Sequence, residues 1–212
     1  MKTNCVITIG RQFGSGGRYV GRMLAEKLGI PFYDKELLSE AAKQSGICEE
    51  IFEDHDEKPT RSLLFNLVTG MQVHGDAGSY YMDMPLNHKI FLAQFDAIRS
   101  IADKGPCVIV GRCADYVLRE QSGVTSVFIY ADMNDRIRRL METRKITRDE
   151  AITLIKKNDK SRRNYYECYT GKRWGAGASY DVTLNSAELG LDTCVDLICH
   201  LYERKQEGDT EQ

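Results

Sequence analysis

The run Cys5-Val-Ile-Thr-Ile9 is almost uninterruptedly apolar, the pattern of a strand covered on both faces. Val20, Met23, Leu24 and Leu28 then recur at helical spacing, with Gly29 placed to end the helix and Pro31 barring its continuation. Ile30 to Tyr33 predicts a second short strand. Asp34 stands where it can cap a helix carrying Leu37, Leu38, Ala41 and Ala42 on its inner face and stopping near Gly46. The next forty residues are less regular: Arg61 to Thr69 predicts a helix, and His74 to Pro85 a mobile loop. Leu86 to Lys104 returns to helix, ended by Gly105-Pro106. Cys107 to Val110 and Val124 to Tyr130 predict strands, and Asp132 to Arg144 a very basic helix. Thr147-Arg-Asp-Glu150 is a capping box that opens another helix to about Asn158. Tyr180 to Leu184 predicts a last strand and Leu191 to Arg204 a closing helix. Five strands alternating with helices imply a parallel sheet with helices on both faces.

A chain of 212 residues is long enough for one substantial domain. Its formal net charge of −2 removes bulk basicity as a case for nucleic acid, so no nucleic-acid partner is expected despite the basic 136–173 stretch. The seven cysteines are odd in number and form no C-x-x-C pair, which disfavours a zinc ribbon or a thiol-redox motif and suits a reducing compartment. The four histidines show no metal-ligand spacing. The short apolar run at Cys5 to Ile9 falls below the roughly 7–15 residues of a secretory core. No stretch approaches the roughly 18 apolar residues of a membrane span. A cytoplasmic protein without a membrane partner is expected.

The sharpest chemical signal joins the first strand to the first helix: Gly10-Arg-Gln-Phe-Gly14-Ser15-Gly16-Gly17-Arg18-Tyr19. Three glycines in four residues let a backbone turn tightly and aim its amides at a phosphate, with the helix dipole behind them. Arg11, Gly14, Ser15, Gly16, Gly17, Arg18 and Tyr19 are therefore the candidate ligand-binding residues. The stretch departs from the P-loop pattern G-x-x-x-x-G-K-[ST]. With Gly16 on the second glycine, Arg11 falls on the first, Gly17 on the lysine and Arg18 on the Ser/Thr. Arg18 is the first candidate for the missing cation and Arg11 the second. The dinucleotide pattern G-x-G-x-x-G fits at Gly14 and Gly16 but fails at Tyr19, although Asp34 stands where a ribose-binding acid would fall.

With these residues in view, the chain resembles the cytidylate kinase-like family, relatives of bacterial cytidylate kinase among P-loop nucleoside monophosphate kinases. The resemblance runs through Ile7 to Gly17, Phe32-Tyr-Asp-Lys-Glu-Leu37, Gly111-Arg112, Asp159 to Tyr166 and Gly171-Lys-Arg-Trp174. It implies a three-layer P-loop NTPase-type α/β fold, with a five-stranded parallel sheet in one domain spanning 1–212. It further implies a helical acceptor-binding lobe at about 46–85 and a lid at about 144–179. The implied reaction is transfer of the ATP γ-phosphoryl group to a small acceptor, a nucleoside monophosphate, with magnesium. Cytidylate kinases carry the P-loop lysine and a Gly-Arg-Asp triplet. Here Gly17 replaces the lysine and Cys113 the aspartate.

Phosphoryl transfer asks for positioning and for cations around the moving oxygens. Asp159 and Arg163 match the lid's acid and arginine in the resemblance. They are the catalytic candidates together with Arg18, Arg163 as a clamp on the phosphates and Asp159 as its orienting partner or an acceptor contact. Arg112 follows a buried strand directly, and Asp34 and Lys35 follow another; ligands bind beyond such strand ends, so these three are the acceptor candidates. Arg136, Arg138 and Arg139, taken singly, read as a solvated helical face. Asp34, Asp115 and Asp132 are possible magnesium carboxylates, with no choice among them. Trp174, Tyr165 and Tyr166 either pack the lid or stack a base. The sequence reading is thus an ATP-dependent kinase. The rivals are a nucleotide- or phosphate-binding protein without transfer, a nicotinamide-dependent oxidoreductase and a nucleic-acid binder.

Overall fold

A computed structural model of the chain describes residues 5–34, 36–46, 57 and 86–208. The strands are β1 (Val6–Arg11), β2 (Phe32–Tyr33), β3 (Cys107–Val110), β4 (Val124–Tyr130) and β5 (Val182–Asn185). They form one sheet in the order β2-β3-β1-β4-β5. Every pair is parallel, with Ile7 opposite Val108 on one side and Thr125 on the other. The helices are α1 (Gly17–Leu28), α2 (Glu36–Ser45), α3 (Leu86–Lys104), α4 (Ala114–Val117), α5 (Met133–Arg144), α6 (Arg148–Thr170), α7 (Ser186–Leu189) and α8 (Leu191–Gly208).

Strand alternation divides the core between the two faces. Ile7, Ile9, Val108 and Val110 point to one side, where they meet Val20 and Leu24 of α1 and Val195 and Ile198 of α8. Val6, Cys107 and Ile109 point to the other, against Leu37 of α2, Ile98 and Ile101 of α3 and Leu118. The sheet is thus covered on both faces, which is why its central strands are so uniformly apolar.

Two elements depart from the sequence reading. The helix expected to end near Asn158 continues to Thr170 as α6. Tyr165, Tyr166 and Tyr169 lie on its inner face and pack with Phe91, Phe128 and Tyr180, and this burial sustains the added turns. The short helices α4 and α7 were not anticipated, being too brief to show a period. The capping box is formed as expected, with the Thr147 amide donating to Glu150 Oε2 at 2.8 Å. Apart from Gly46 and Glu57, the lobe expected at about 46–85 lies outside the described residues, as do the helix at Arg61 to Thr69, the loop at His74 to Pro85 and Lys35. Among the described residues no helix is long and apolar enough to cross a membrane.

Candidate active site

The turn between β1 and α1 is braced from outside by α5 and α6. The Phe13 amide donates to Asp159 Oδ1 at 2.8 Å, and the Phe13 carbonyl accepts from Arg136 Nε at 3.0 Å. Asp159 Oδ2 closes the triangle on Arg136 Nη2 at 2.5 Å. Arg139 Nη1 donates to the Gly14 carbonyl at 2.8 Å. Inside the turn, Ser15 Oγ donates to the Gln12 carbonyl at 2.9 Å, and the Ser15 carbonyl accepts from Ser186 Oγ at 2.6 Å. Gly16 has φ of 83°, a conformation that calls for glycine, and an added Cβ there would also push aside the Leu191 Cδ2 methyl, 2.5 Å away. With these carbonyls held outward, the first amides of α1 remain without intrahelical acceptors, as at any helix start.

Beside the turn, beyond the carboxyl ends of β1 and β3, lies a cavity of about 760 Å³. Seven arginines (11, 18, 22, 112, 139, 144 and 162) and two acids, Asp34 and Glu57, line it together with Gly14, Gly16 and Gly17. This is the position at which ligands bind in open parallel sheets, where the connections leaving two adjacent strands, here β1 and β3, run to opposite sides. The excess of guanidinium groups over carboxylates suits a multiply charged anion.

Both acids organise the arginines. Asp34 Oδ1 meets Arg112 Nη1 at 2.5 Å, its Oδ2 meets Arg18 Nε at 2.6 Å, and Arg11 Nη2 lies 4.0 Å away. Burial pushes the Asp34 carboxyl upward, but Arg112, Arg11 and Arg18 outweigh it and hold the group below its ordinary value. Glu57 bridges Arg11 Nη1 at 2.5 Å and Arg162 Nε at 2.9 Å. Its burial is likewise outweighed by these guanidinium groups, and it too is held well below the usual range. Gly111, Arg112 and Cys113 carry φ values of 80°, 52° and 57° in succession. Two consecutive non-glycine residues in the left-handed region cost about 1–3 kcal/mol each. The strained turn delivers Arg112 to Asp34 and to the Val110 carbonyl, which accepts at 2.9 Å.

The structure brings most of the expected residues to one wall. Arg11, Gly14, Gly16, Gly17, Arg18, Tyr19, Asp34 and Arg112 all line the cavity. Ser15 does not: it is fully buried, and its hydroxyl is spent within the turn. Arg163, expected as a phosphate clamp, lies instead with its guanidinium 5.8 Å from the centre of the Trp174 ring. Its neighbour Arg162 takes the place on the wall, because that helix face turns toward the strand ends. Asp159 orients Arg136 and the Phe13 amide, off the cavity wall. Burial raises its carboxyl above the ordinary value, opposed by the Phe13 amide and by Arg136, Arg162 and Arg163. The solvated face read for Arg136, Arg138 and Arg139 holds only for Arg138, which is exposed and paired with Asp135. Arg136 is buried, and Arg139 joins it in bracing the turn. Trp174 packs edge-on against Phe128, its ring centroid 5.3 Å away. Glu57 gave no signal in the sequence, since it sits in an irregular stretch and belongs to no motif.

The candidate magnesium carboxylates are engaged elsewhere or distant. Asp34 holds arginines, and Asp115 Oδ2 accepts from the Tyr166 hydroxyl at 2.7 Å. Asp132 precedes α5 and is not on the wall. Among the described residues no group of three or more His, Cys, Asp or Glu gathers as a metal site.

The family model described as the cytidylate kinase-like family matches residues 6–188. The chain belongs to the cytidylate kinase-like family. An uncharacterized protein of Eubacterium ventriosum is 30% identical and superimposes with a TM-score of 0.69, over 93% of this chain and 98% of its own. A shikimate kinase from Bacteroides thetaiotaomicron is 16% identical, with a TM-score of 0.53 over 93% of this chain and 98% of its own. The second likeness speaks to the fold alone, a five-stranded parallel sheet with helices. No curated protein matches the chain.

Proposed function

We propose that the chain is an ATP-dependent phosphotransferase acting on a small anionic acceptor, a nucleoside monophosphate in keeping with its family. The observation that carries this reading is the cavity wall, where seven arginines converge on a glycine turn at the carboxyl edge of the sheet. The triphosphate would lie along Gly14, Gly16 and Gly17, its outer oxygens toward Arg11, Arg18 and Arg162. The acceptor would sit toward Arg112 and Asp34. Phosphoryl transfer needs charge placed in advance more than it needs covalent help. Arg11, Arg18, Arg112 and Arg162 are already held by Asp34 and Glu57, so little reorganisation of these four accompanies the reaction. Since both wall carboxylates are committed to arginines, the residues present do not form a protein-borne magnesium site. No step here depends on one, and the metal is expected to arrive with the nucleotide.

A second reading is nucleotide binding without transfer, favoured by glycine standing at the lysine position. The experiment that separates the two is transfer from γ-labelled ATP to CMP, dCMP, UMP, AMP and GMP, beside a no-acceptor control. Labelled product with one acceptor supports the kinase. ATP binding with no labelled product favours the second reading.

A further inference from the structure

The turn lacks a lysine at position 17, and its geometry shows why one cannot stand there. A Cβ built on Gly17 would lie 2.6 Å from the Cβ of Arg11 and 3.3 Å from its Cγ. Real Cβ atoms do not approach so closely. The stem of Arg11 therefore fills most of the space that a side chain at 17 would enter, with Ile129 Cβ on its flank at 3.2 Å, so a side chain at 17 needs position 11 cleared first. The sequence shows the same exchange. Where the P-loop pattern has glycine first and lysine later, this chain has Arg11 first and Gly17 later.

The guanidinium of Arg11 also stands where a phosphate-binding cation is wanted. It lines the cavity, its side chain is only 10% exposed, and it sits between Glu57 and Asp34. Glu57 shows that anionic oxygens can be shared there, since its two oxygens meet Arg11 at 2.5 Å and Arg162 at 2.9 Å. Arg18, the other candidate, is placed differently. Its side chain is 62% exposed, and its Nε is taken by Asp34 at 2.6 Å. A cation held in a buried, water-poor position acts more strongly on a phosphate than one at the mouth.

We infer that Arg11, reaching over Gly17 from the end of β1, is the phosphate-binding cation that replaces the P-loop lysine, and that Gly17 is required to make room for it. This rests on the nucleotide-phosphate reading of the cavity. An arginine in this role offers a planar fork to two oxygens of the ligand, whereas a lysine acts as a point charge. The positions should be exchangeable only together.

The test is equilibrium dialysis with labelled ATP and AMP on four folded proteins: wild type, Arg11→Met, Gly17→Lys and the double variant Arg11→Gly/Gly17→Lys. Arg11→Met keeps the stem and removes the charge. It should lower ATP affinity by about tenfold or more while changing AMP affinity by less than about threefold. Gly17→Lys alone should lose ATP affinity to a similar degree, and the double variant should recover part of it, since Ile129 Cβ still lies 3.2 Å away. Should Arg11→Met fail to fold once Glu57 keeps only Arg162, the double variant, whose lysine restores a cation beside the turn, is compared with Gly17→Lys and decides. A folded double variant binding ATP no better than Gly17→Lys would overturn the inference. So would unchanged ATP affinity in Arg11→Met. A wild type that binds no ATP would remove the nucleotide reading itself, and with it this assignment.

Discussion

Asp34 and Arg112 meet at 2.5 Å, with the Asp34 side chain 7% exposed and that of Arg112 2% exposed. One residue follows the second strand and the other the third, so this single contact ties two neighbouring strand ends together at the cavity. Removing one charge of a buried pair takes the counter-ion from the other, at a cost of about 3–5 kcal/mol. Asp34→Asn should therefore lower the urea midpoint sharply. Asp34→Asn/Arg112→Met should recover part of the loss. An Asp34→Asn protein as stable as wild type would mean that Arg112 does not depend on the Asp34 charge.

The same carboxyl makes stability sensitive to acid. Asp34 is held below its ordinary value in the folded chain, chiefly by Arg112 and Arg11 acting against burial. Above the unfolded value of about 3.8 its contribution is fully present. As pH falls, the unfolded chain takes up the proton first, and the contribution fades until pH drops through the folded value. The stability difference between wild type and Asp34→Asn should therefore be constant above about pH 5 and shrink below about pH 4. A difference that grows on acidification would have the wrong sign.

Adjacent arginines should behave unequally. Arg162 lines the cavity and bonds Glu57, whereas Arg163 lies over Trp174. Arg162→Gln should weaken ATP binding by about tenfold, near 1.4 kcal/mol, and Arg163→Gln by less than about threefold. The reverse order, read by equilibrium dialysis, would return the clamp to Arg163.

Gly16→Ala meets a backbone obstacle, a φ of 83°, and must also displace the Leu191 Cδ2 methyl. The expected loss is about 1–3 kcal/mol in chemical denaturation, with reduced ATP affinity because the turn must shift. An alanine variant of unchanged stability and affinity would show that the turn tolerates the change.

The sheet was legible because its strands are covered on both faces: Cys5 to Ile9, Cys107 to Val110 and Val124 to Tyr130 are apolar runs of strand length. The glycine turn was legible because its residues are contiguous. The far end of α6 was hidden, since its tyrosines earn their helical state from contact with Phe91, Phe128 and Tyr180, which lie far away in the chain. The choice between Arg162 and Arg163 was hidden for a related reason. Adjacent residues on a helix differ by about 100° in direction, and only the packed helix says which of the two faces the strand ends. Glu57 is a case of pure tertiary placement, 46 residues from Arg11 and 105 from Arg162.

The central claim is that the arginine wall holds a nucleotide by its phosphates. Its most direct test is equilibrium dialysis of the wild-type chain against labelled ATP, ADP, AMP and adenosine. One saturable site is predicted, with affinity falling in that order as phosphates are removed. Adenosine bound as tightly as ATP, or a folded chain that retains no ATP at all, would contradict it.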